Sequence, residues 1–498
     1  RRLGGDRIYS MTSHFPIGFS ADALQGKHIH FVGIGGCGMS GLARLIARLG
    51  SNVRGTDATE TQVTRALIVD GISVSYTQDG LDLQPDTDLI VHSAAIPTDN
   101  PELLLGEECS IPIVSYAQML GLVQSHHTGV CLAGTHGKST TVSMLSYILL
   151  HASYDPSFIV GANCNQIGGS SRVGSSIITN GKLKGNPGIL ISESCEFNRS
   201  FHEHDPTIAL INNIEEDHLD YYSSLDDIIE AFKGFAQRIP SSDDGGLLLI
   251  AHDGAHRNIV TPGLACKVET FGFHPEADYQ VMFDPSVRRV GILRDGMWTI
   301  QWTNQMPGSH NALNAAAAAI LAAKLGVDWE ELIEPLEQFE GVDRRLQNLG
   351  TFACRDGGIA TVYDDYGHHP TEIEMTLRAL RAAELPKRLI CVFQPHQHSR
   401  TRFLLNQFAQ SFASADEIIV PHIYFVRDSI AEQQRVSAQD LVDKLTGLGA
   451  SAKHINNFSD IVDHVKNTAR DGDLVVVMGA GPVTNIAHTL TNPEHISS

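Results

Sequence analysis

Residues 130–141 have the types and spacing of a phosphate-binding loop. An apolar run at 130–133 predicts a buried strand, a turn Gly-Thr-His-Gly follows at 134–137, and Lys-Ser-Thr-Thr at 138–141 opens a helical stretch. Glycines let the backbone wrap a phosphate chain, and a helix N-terminus directs N–H groups and its positive dipole end at the anion. The lysine adds a full charge, and the hydroxyls can bind Mg²⁺. This pattern favours a nucleotide-phosphate site over a plain strand–turn–helix with a surface lysine.

A second glycine-rich loop, G-x-G-x-x-G at 33–38, lies between a short strand at 27–32 and a helical run at 39–49. The next strand, at 52–55, leads to Asp57, where an acid suits a ribose hydroxyl. An NAD enzyme is one interpretation, but the loop alone indicates only a nucleotide diphosphate. A further strand within 88–97 ends in small residues that let a ligand approach the sheet.

Two more buried strands, at 189–196 and 207–214, lead to Glu193 and His218. If both strands lie parallel to the phosphate-loop strand, these side chains meet at one sheet edge, where Mg²⁺ ligands are needed. A solvated strand end for Glu193 and a capping or packing role for His218 remain alternatives. Asn311 and Asn314 share a helix face and either contact an adenine edge or cap the helix.

Polar clusters at 364–372, 394–400 and 479–481 each follow a strand of the C-terminal region. Open parallel sheets bind ligands at this edge. The clusters contain His-His and His-x-His, but no cysteine or carboxylate set completes a tetrahedral zinc site, so we expect substrate contacts.

The elements that must position these residues belong to a long, acidic chain of 498 residues with a formal net charge of −21. This length predicts about three domains. The charge argues against nucleic-acid binding and against an anionic membrane surface, and no apolar run approaches the ~18 residues of a membrane span. The eight cysteines form no C-x-x-C pair, which predicts reduced thiols in a cytoplasmic protein.

Strand and helix patterns alternate along the chain, which predicts an α/β fold with mostly parallel sheets. We expect residues 1–26 to be a disordered extension, since residues 1–20 contain no continuous apolar segment typical of a signal peptide. The predicted domains are residues 27–124, which are Rossmann-like, residues 125–344, which carry the phosphate loop, and residues 345–498.

Seven motifs stand in one order along the chain, and together they resemble the Mur ligase family. They are G-I-G-G-C-G-M at 33–39, A-G-T-H-G-K-S-T-T at 133–141, N-I-E-E-D-H-L-D-Y at 213–221, H-N-A-L-N at 310–314, V-D-R-R at 342–345, D-D-Y-G-H-H-P-T-E at 364–372 and F-Q-P-H at 393–396. The resemblance implies a UDP-sugar domain, a central P-loop ATPase domain and a C-terminal Rossmann-like amino-acid domain. It further implies that ATP and Mg²⁺ activate the carboxylate of UDP-N-acetylmuramate for ligation to L-alanine, in peptidoglycan precursor synthesis.

The resemblance assigns roles to individual residues. The catalytic residues would be Lys138, Glu193, His218 and the hinge residue Arg344. The Mg²⁺ ligands would be Ser139, Thr140, Glu193 and His218. The ATP contacts would be Gly134, Thr135, His136, Gly137, Lys138, Ser139, Thr140, His310, Asn311, Asn314 and Asp365. The UDP-sugar contacts would be Gly33, Gly35, Gly36, Gly38, Met39, Asp57, Ser93 and Ala94. The contacts to the amino acid and the muramoyl carboxylate would be Tyr366, His368, His369 and Arg400.

The chain also departs from the family pattern. It has E-S-C-E-F-N at 193–198, where the family often has E-A-D-E-S-D, so the third and sixth acids are absent. Gln397 and His398 replace the usual Arg-Tyr. Three other functions remain open: a ligase that joins a murein tripeptide to the same UDP-sugar, an NAD(P)-dependent oxidoreductase built on the first glycine loop, and a non-catalytic nucleotide sensor.

Overall fold

The computed structural model describes residues 24–426 and 428–492. Within these residues the chain forms three sheets of five, ten and six strands. We call the units built on them the first, second and third domains. This arrangement confirms the predicted α/β class with three domains and mostly parallel sheets. The predicted disordered extension lies outside the described residues up to position 23, but Leu24 is fully buried in the first domain, so that domain extends at least to Leu24.

The first domain is a parallel five-stranded sheet in the order β3-β2-β1-β4-β5. Its strands are β1 His28–Val32, β2 Asn52–Thr56, β3 Ser73–Ser75, β4 Leu89–His92 and β5 Ile113–Ser115, and its helices are α1 Cys37–Arg48, α2 Gln62–Val69, α3 Pro101–Glu108 and α4 Tyr116–Gln124. The strand order reverses direction between β1 and β4, and ligands of such sheets bind outside this switch point. The first glycine loop follows β1 directly.

The second domain contains the ten-stranded sheet, in the order β15-β14-β13-β12-β11-β10-β6-β9-β7-β8. Its strands are β6 Thr128–Ala133, β7 Ser157–Ile159, β8 Ser171–Arg172, β9 Ile189–Glu193, β10 Ile208–Ile211, β11 Leu247–Ala251, β12 Lys267–Gly272, β13 Tyr279–Asp284, β14 Arg289–Arg294 and β15 Met297–Thr303. Its α-helices are α5 Lys138–His151, α6 Leu225–Ala236, α7 Arg257–Val260, α8 Ser309–Leu325 and α9 Ile333–Gln338. Its 3₁₀ segments are Asn165–Ile167, Phe197–Glu203, Ser242–Asp244 and Trp329–Leu332.

The phosphate-loop strand β6 lies at the centre of this sheet, parallel to β9 on one side and to β10 on the other. All six residues of β6 are buried, as its continuous apolar run predicts. Helix α8 packs against α5, the helix that follows the phosphate loop. Residues 315–319 of α8 are buried alanines, and their small side chains let the two helices approach closely. The antiparallel ribbon β13-β14-β15 extends the sheet and was not predicted.

The third domain is a six-stranded sheet in the order β16-β17-β21-β18-β19-β20, parallel except for β16. Its strands are β16 Gln347–Ala353, β17 Ile359–Asp365, β18 Arg388–Phe393, β19 Glu417–Val420, β20 Ala452–His454 and β21 Asp473–Met478. Its helices are α10 Pro370–Glu384, α11 His398–Phe403, α12 Leu405–Gln410, α13 Ile430–Gln433, α14 Ala438–Gly447, α15 Phe458–Thr468 and α16 Thr484–Thr491. Among the described residues of the three domains, no helix combines the length and apolar character that a bilayer crossing requires.

The first two domains are packed tightly together at α4. This helix contacts the 3₁₀ segment Phe197–Glu203 of the second domain. Gly121 lies at the closest approach, where an added Cβ would stand 1.8 Å from the carbonyl oxygen of Glu203. A side chain at this position would therefore push the two backbones apart.

We expect Gly121→Ala to lower the free energy of unfolding by about 1–3 kcal/mol, because the backbone of Glu203 must move. Gly447→Ala is the matched control, since Gly447 also lies in a helix but an added Cβ there meets nothing within 4 Å. Chemical denaturation of both variants measures the difference. Equal stabilities of the two variants would contradict the tight packing at Gly121.

Candidate functional site

The phosphate loop joins β6 to α5 through two glycines with positive φ. Gly134 has φ 134° and Gly137, the residue before α5, has φ 83°. An added Cβ at Gly137 would stand 2.5 Å from the side-chain oxygen of Asn314 in α8, so both the backbone conformation and the space require glycine there. The first turn of α5 contains Lys138, Ser139 and Thr140, as the sequence predicts.

Lys138 is held inside the site by an acid and by its own loop. Its Nζ donates to Glu196 Oε2 at 2.9 Å, to the carbonyl oxygen of Thr135 at 3.2 Å and to that of Gly134. Burial disfavours the ammonium, but the negative charge of Glu196 outweighs this effect and raises the pKa of Lys138. The lysine is therefore a permanent cation at the mouth of the loop, paired with a carboxylate that an incoming phosphate can replace.

Acidic and imidazole side chains cluster at the ends of the neighbouring strands. Glu196, Asp217 and His218 each place one ligand atom within 4.8 Å of the others. Glu193 lies at the end of β9 as predicted, but its carboxylate accepts a hydrogen bond of 2.6 Å from the N–H of Gly161 and is not part of this cluster. Glu196 has no role in the prediction from sequence, although an acid three residues after Glu193 is a usable signal.

A cavity of about 720 Å³ lies between the second and third domains. Its walls include seven of the residues predicted to contact ATP, which are His136, Gly137, Thr140, His310, Asn311, Asn314 and Asp365. The structure thus brings together the phosphate loop, the start of α8 and the end of β17, which lie far apart in sequence. The volume is typical of a small-molecule site.

The start of α8 forms one wall of this cavity. Asn311 donates to the carbonyl oxygen of Pro307 at 2.8 Å, and Asn314 Oδ1 accepts from Thr141 Oγ1 in α5 at 3.3 Å. Asn314 therefore fixes α8 to the phosphate-loop helix. Burial lowers the pKa of His310 to about 4, so this imidazole is neutral at pH 7 and can donate or accept a hydrogen bond.

The third domain contributes Asp365 and an arginine to the cavity. Asp365 accepts hydrogen bonds from the N–H groups of Leu346 and Gly367, at 2.8 and 2.6 Å, and burial raises its pKa to about 6. Arg345 lines the cavity and pairs with Glu372 at 3.4 Å. The predicted hinge residue Arg344 instead donates to the carbonyl oxygens of Gly479 and Gly481, within the third domain.

The residues predicted to contact the amino acid also join the two domains. Arg400 binds Asp217 Oδ1 through Nε and Nη2, at 3.0 and 2.8 Å, and both side chains are buried. His369 Nε2 lies 2.9 Å from the carbonyl oxygen of Glu216, and Thr371 Oγ1 donates to Glu215 Oε2 at 2.5 Å. The segment 215–217 thus holds the third domain against the second. We call this set of contacts the clasp.

Tyr366 and His368 lie beside the clasp. The guanidinium groups of Arg344 and Arg345 stand over the Tyr366 ring, 5.0 and 5.1 Å from its centroid. The His368 ring packs on Tyr366 and on His396, with centroids 5.6 and 5.7 Å apart. Burial lowers the pKa of His368 to about 3, so its ring is neutral.

His136 of the phosphate loop lies between two carboxylates from different domains. Its Nδ1 is 3.2 Å from Glu372 of the third domain, and its Nε2 is 3.5 Å from Glu215 of the second. Burial alone would lower the pKa of His136, but the two carboxylates raise it to about 9. At neutral pH the charged imidazole therefore attracts both domains. Neither Glu215 nor Glu372 was assigned a role from the sequence, although both belong to the motifs quoted there.

The predicted UDP-sugar residues surround the switch point of the first domain. The N–H of Gly35 donates to Asp57 Oδ2 at 2.8 Å, and an added Cβ at Gly33 would stand 3.3 Å from the Cβ of Ser93. Met39 is buried in α1, and Gly38 packs against the Tyr116 ring. The loops after β1, β2 and β4 are thus neighbours, and the contacts of all eight predicted residues with a UDP-sugar stay predictions.

Comparison with known proteins matches family models along most of the chain. Residues 28–128 match the Mur ligase family catalytic domain, residues 132–322 the Mur ligase middle domain, and residues 344–481 the Mur ligase glutamate ligase domain. The UDP-N-acetylmuramate–L-alanine ligase of Lachnospira eligens is 38% identical over 470 residues, which are 93% of this chain and 97% of that protein. The enzyme of the same name from Clostridium novyi is 38% identical over 465 residues, 92% of this chain and 96% of that one.

Two solved structures resemble the fold. The UDP-N-acetylmuramate–alanine ligase of Thermotoga maritima has a TM-score of 0.73 at 25% identity, covering 95% of this chain and all of that one. A murein peptide ligase from Psychrobacter arcticus has a TM-score of 0.69 at 24% identity, with the same coverage, and this likeness concerns the fold alone.

The raised pKa of His136 predicts that domain docking weakens in alkali. Because the folded-state pKa of about 9 lies above the ordinary 6.5, the stabilisation is complete below pH 6.5 and is lost as the pH rises through 9. We expect the wild type to lose more thermal stability between pH 7 and 10 than His136→Gln, which has no charge to lose. Parallel stability curves for the two proteins would contradict the ion pairing.

The clasp predicts that Asp217→Asn opens the third domain. The substitution leaves the guanidinium of Arg400 buried without its carboxylate, at a cost of about 3 kcal/mol. We expect a larger radius of gyration by small-angle X-ray scattering and faster proteolysis between the domains. Asp220→Asn, at an exposed acid three residues away, should change neither. An unchanged radius of gyration for Asp217→Asn would show that the pair does not hold the domains.

Proposed function

Because the chain belongs to the Mur ligase family, we propose that it ligates L-alanine to the carboxylate of UDP-N-acetylmuramate with conversion of ATP to ADP and phosphate, a step of peptidoglycan precursor synthesis. The cavity between the second and third domains carries this proposal. Its walls combine Gly137 and Thr140 of the phosphate loop, the asparagines of α8 and the buried Asp365, which together suit a nucleoside triphosphate, and Lys138 follows Gly137 directly in the chain. The relatives with 34–38% identity share the name UDP-N-acetylmuramate–L-alanine ligase, which supports alanine as the acceptor.

The chemistry follows from the poor reactivity of a carboxylate toward an amine. Transfer of the γ-phosphate of ATP to the muramoyl carboxylate gives an acyl phosphate and ADP. The amine of alanine then attacks the carbonyl carbon, and phosphate leaves. Lys138 offsets the charge of the phosphates during the first step, and Arg345, which lines the cavity, is a second cation.

Mg²⁺ would reduce the repulsion between the carboxylate and the triphosphate, and the donors present suit it. Ser139 and Thr140 offer hydroxyls at the start of α5, Glu193 a carboxylate at the end of β9, and His218 an imidazole beside Glu196 and Asp217. Oxygen atoms predominate in this set, as a hard cation prefers. The assignment of these ligands is part of the proposal.

Enclosure of the site protects the acyl phosphate from water. The clasp joins the two domains through His369 and Thr371, and the ion pair between Glu372 and His136 joins them at the phosphate loop itself. Water would hydrolyse the intermediate in an open site, so we infer that ligation occurs in this docked arrangement. We place the reaction in the cytoplasm, where ATP is available and the chain's cysteines, all free in the structure, stay reduced.

The test is phosphate release with UDP-N-acetylmuramate, ATP, Mg²⁺ and a panel of acceptors containing L-alanine, glycine, L-serine and the murein tripeptide. We expect turnover with L-alanine and a much lower rate with the tripeptide. Lys138→Met serves as the inactive control. Its kcat should fall by at least about 10³-fold, because the substitution removes a positive charge that offsets the charge of the phosphates. Faster turnover with the tripeptide than with alanine would favour the recycling ligase. Oxidation or reduction of NAD(P) without ATP use would favour the oxidoreductase.

We predict that Glu193→Gln and His218→Ala each raise the Mg²⁺ concentration for half-maximal turnover by at least about tenfold. Each variant removes a ligand from a site in which water already occupies several positions. Asp220→Asn is the control, since Asp220 is an exposed acid of the same loop as His218. Titration curves of both variants that overlay the wild type would exclude these residues as metal ligands.

A further inference from the structure

A second group of metal-binding side chains spans the two domains, apart from the proposed Mg²⁺ ligands. His136 lies in the phosphate loop, Glu215 follows β10, and His369 precedes α10 of the third domain. Glu215 Oε2 lies 3.5 Å from His136 Nε2 and 3.9 Å from His369 Nδ1, and the three ligand atoms all lie within 4.8 Å of one another. All three residues line the cavity.

The other nitrogen of each imidazole is already bonded in the way that metal-binding histidines require. His136 Nδ1 is 3.2 Å from the carboxylate of Glu372, and His369 Nε2 is 2.9 Å from the carbonyl oxygen of Glu216. Such partners orient a ring and direct its second nitrogen to a metal. The nitrogens so directed, His136 Nε2 and His369 Nδ1, both face Glu215.

The nitrogen of His136 that faces Glu215 lacks a good hydrogen bond. Among the described residues, the buried Nε2 of His136 makes no hydrogen bond, and its 3.5 Å distance to Glu215 is long for one. His369 Nδ1 accepts from the N–H of Thr371 at 3.3 Å, also a long contact that a metal ion can replace. Thr371 Oγ1 donates a hydrogen bond to Glu215 Oε2 and so fixes the position of the third metal ligand.

We propose that His136, Glu215 and His369 bind a transition-metal ion such as Zn²⁺ and that this ion locks the third domain onto the second. Two imidazoles and one carboxylate suit Zn²⁺ and disfavour Mg²⁺, which prefers oxygen ligands. Because the pKa of His136 is about 9, binding of the ion at neutral pH releases the proton of this imidazole to solvent. Tetrahedral ligands about 2.0–2.1 Å from Zn²⁺ lie about 3.4 Å apart, close to the two separations at Glu215. The carboxylates of Glu215 and Glu372 supply negative charge, and Arg345, which faces Glu372, is the nearby cation.

The site exists only while the domains are docked, because one of its ligands belongs to the third domain. Binding therefore favours the docked arrangement by mass action. A ligase must open to release its products, so an ion that holds the domains together slows turnover. This inhibition by Zn²⁺ differs in kind from the activation by Mg²⁺, and its three ligands line the cavity between the domains.

The experiment titrates the nucleotide-free protein with Zn²⁺ by calorimetry and with Co²⁺ by visible absorption. Three variants are compared with the wild type: Glu215→Gln and His369→Ala, which each remove a ligand, and His274→Ala as the matched control. His274 is an exposed residue of the His252–His274–Glu276 group, which also brings possible metal ligands together. We expect both ligand variants to bind at least about tenfold more weakly and to lose the tetrahedral Co²⁺ spectrum, whereas His274→Ala keeps both.

Small-angle X-ray scattering measures the size distribution of the protein, which Zn²⁺ bound only at the surface would not change. Zn²⁺ should narrow the size distribution of the wild type toward the docked form and leave His369→Ala unchanged. Unchanged Zn²⁺ affinity in either Glu215→Gln or His369→Ala would overturn the proposal, as would loss of the Co²⁺ spectrum in His274→Ala. Loss in His218→Ala without loss in His369→Ala would assign the ion to the Glu196–Asp217–His218 cluster and would also overturn it. None of these three outcomes affects the ligase proposal.

Discussion

The nucleotide cavity depends on a few carboxylates that follow β10. Glu215 and Asp217 carry negative charge at the surface of the second domain, and each meets a group of the third domain there. In this partly dehydrated interface the attraction between opposite charges is stronger than on an exposed surface. An unpaired charge in the same place is costly. The two domains are therefore stable together or fully apart, and intermediate positions that leave Arg400 or Asp217 buried and unpaired are disfavoured.

The same balance of charge explains how an acidic chain can bind polyanions. With a net charge of −21, the protein as a whole repels ATP and a UDP-sugar, so attraction must come from local cations. The cations of the site are paired with acids in this structure: Lys138 with Glu196, and Arg345 with Glu372. These pairs keep the basic groups charged and oriented in a buried setting. Phosphate oxygens then exchange with carboxylates that are already in place, which avoids burying an uncompensated cation.

Much of the fold was predictable from the sequence because buried parallel strands are continuous apolar runs. The strands predicted at 27–32 and at 52–55 each differ from the observed strand by one residue at one end. The glycine loops were predictable because close backbone approach and positive φ require glycine, as at Gly137. The ribbon of β13, β14 and β15 was missed because it includes exposed apolar residues such as Met297 and Trp298, which blur the alternation of apolar and polar residues expected of a strand.

Within the site, the sequence identified which segments meet but not which of two adjacent side chains faces the cavity. Arg344 has φ 59°, and this left-handed conformation, unusual for arginine, accompanies its turn away from the cavity that Arg345 lines.

The long sequence separation of the clasp has a consequence for how the protein is made. Arg400 follows Asp217 by 183 residues. A ribosome adding about 5–20 residues per second needs roughly 10–40 s to cover that distance. The last helix of the second domain, α9, ends at Gln338, and in the remaining part of this interval the domain can fold around β6, since its core is separate from that of the third domain. The nascent chain thus carries an intact phosphate loop without the wall that excludes water, and its buried acids await partners that have not been translated. A molecular chaperone that shields this surface would act on a folded domain, not on an unfolded one.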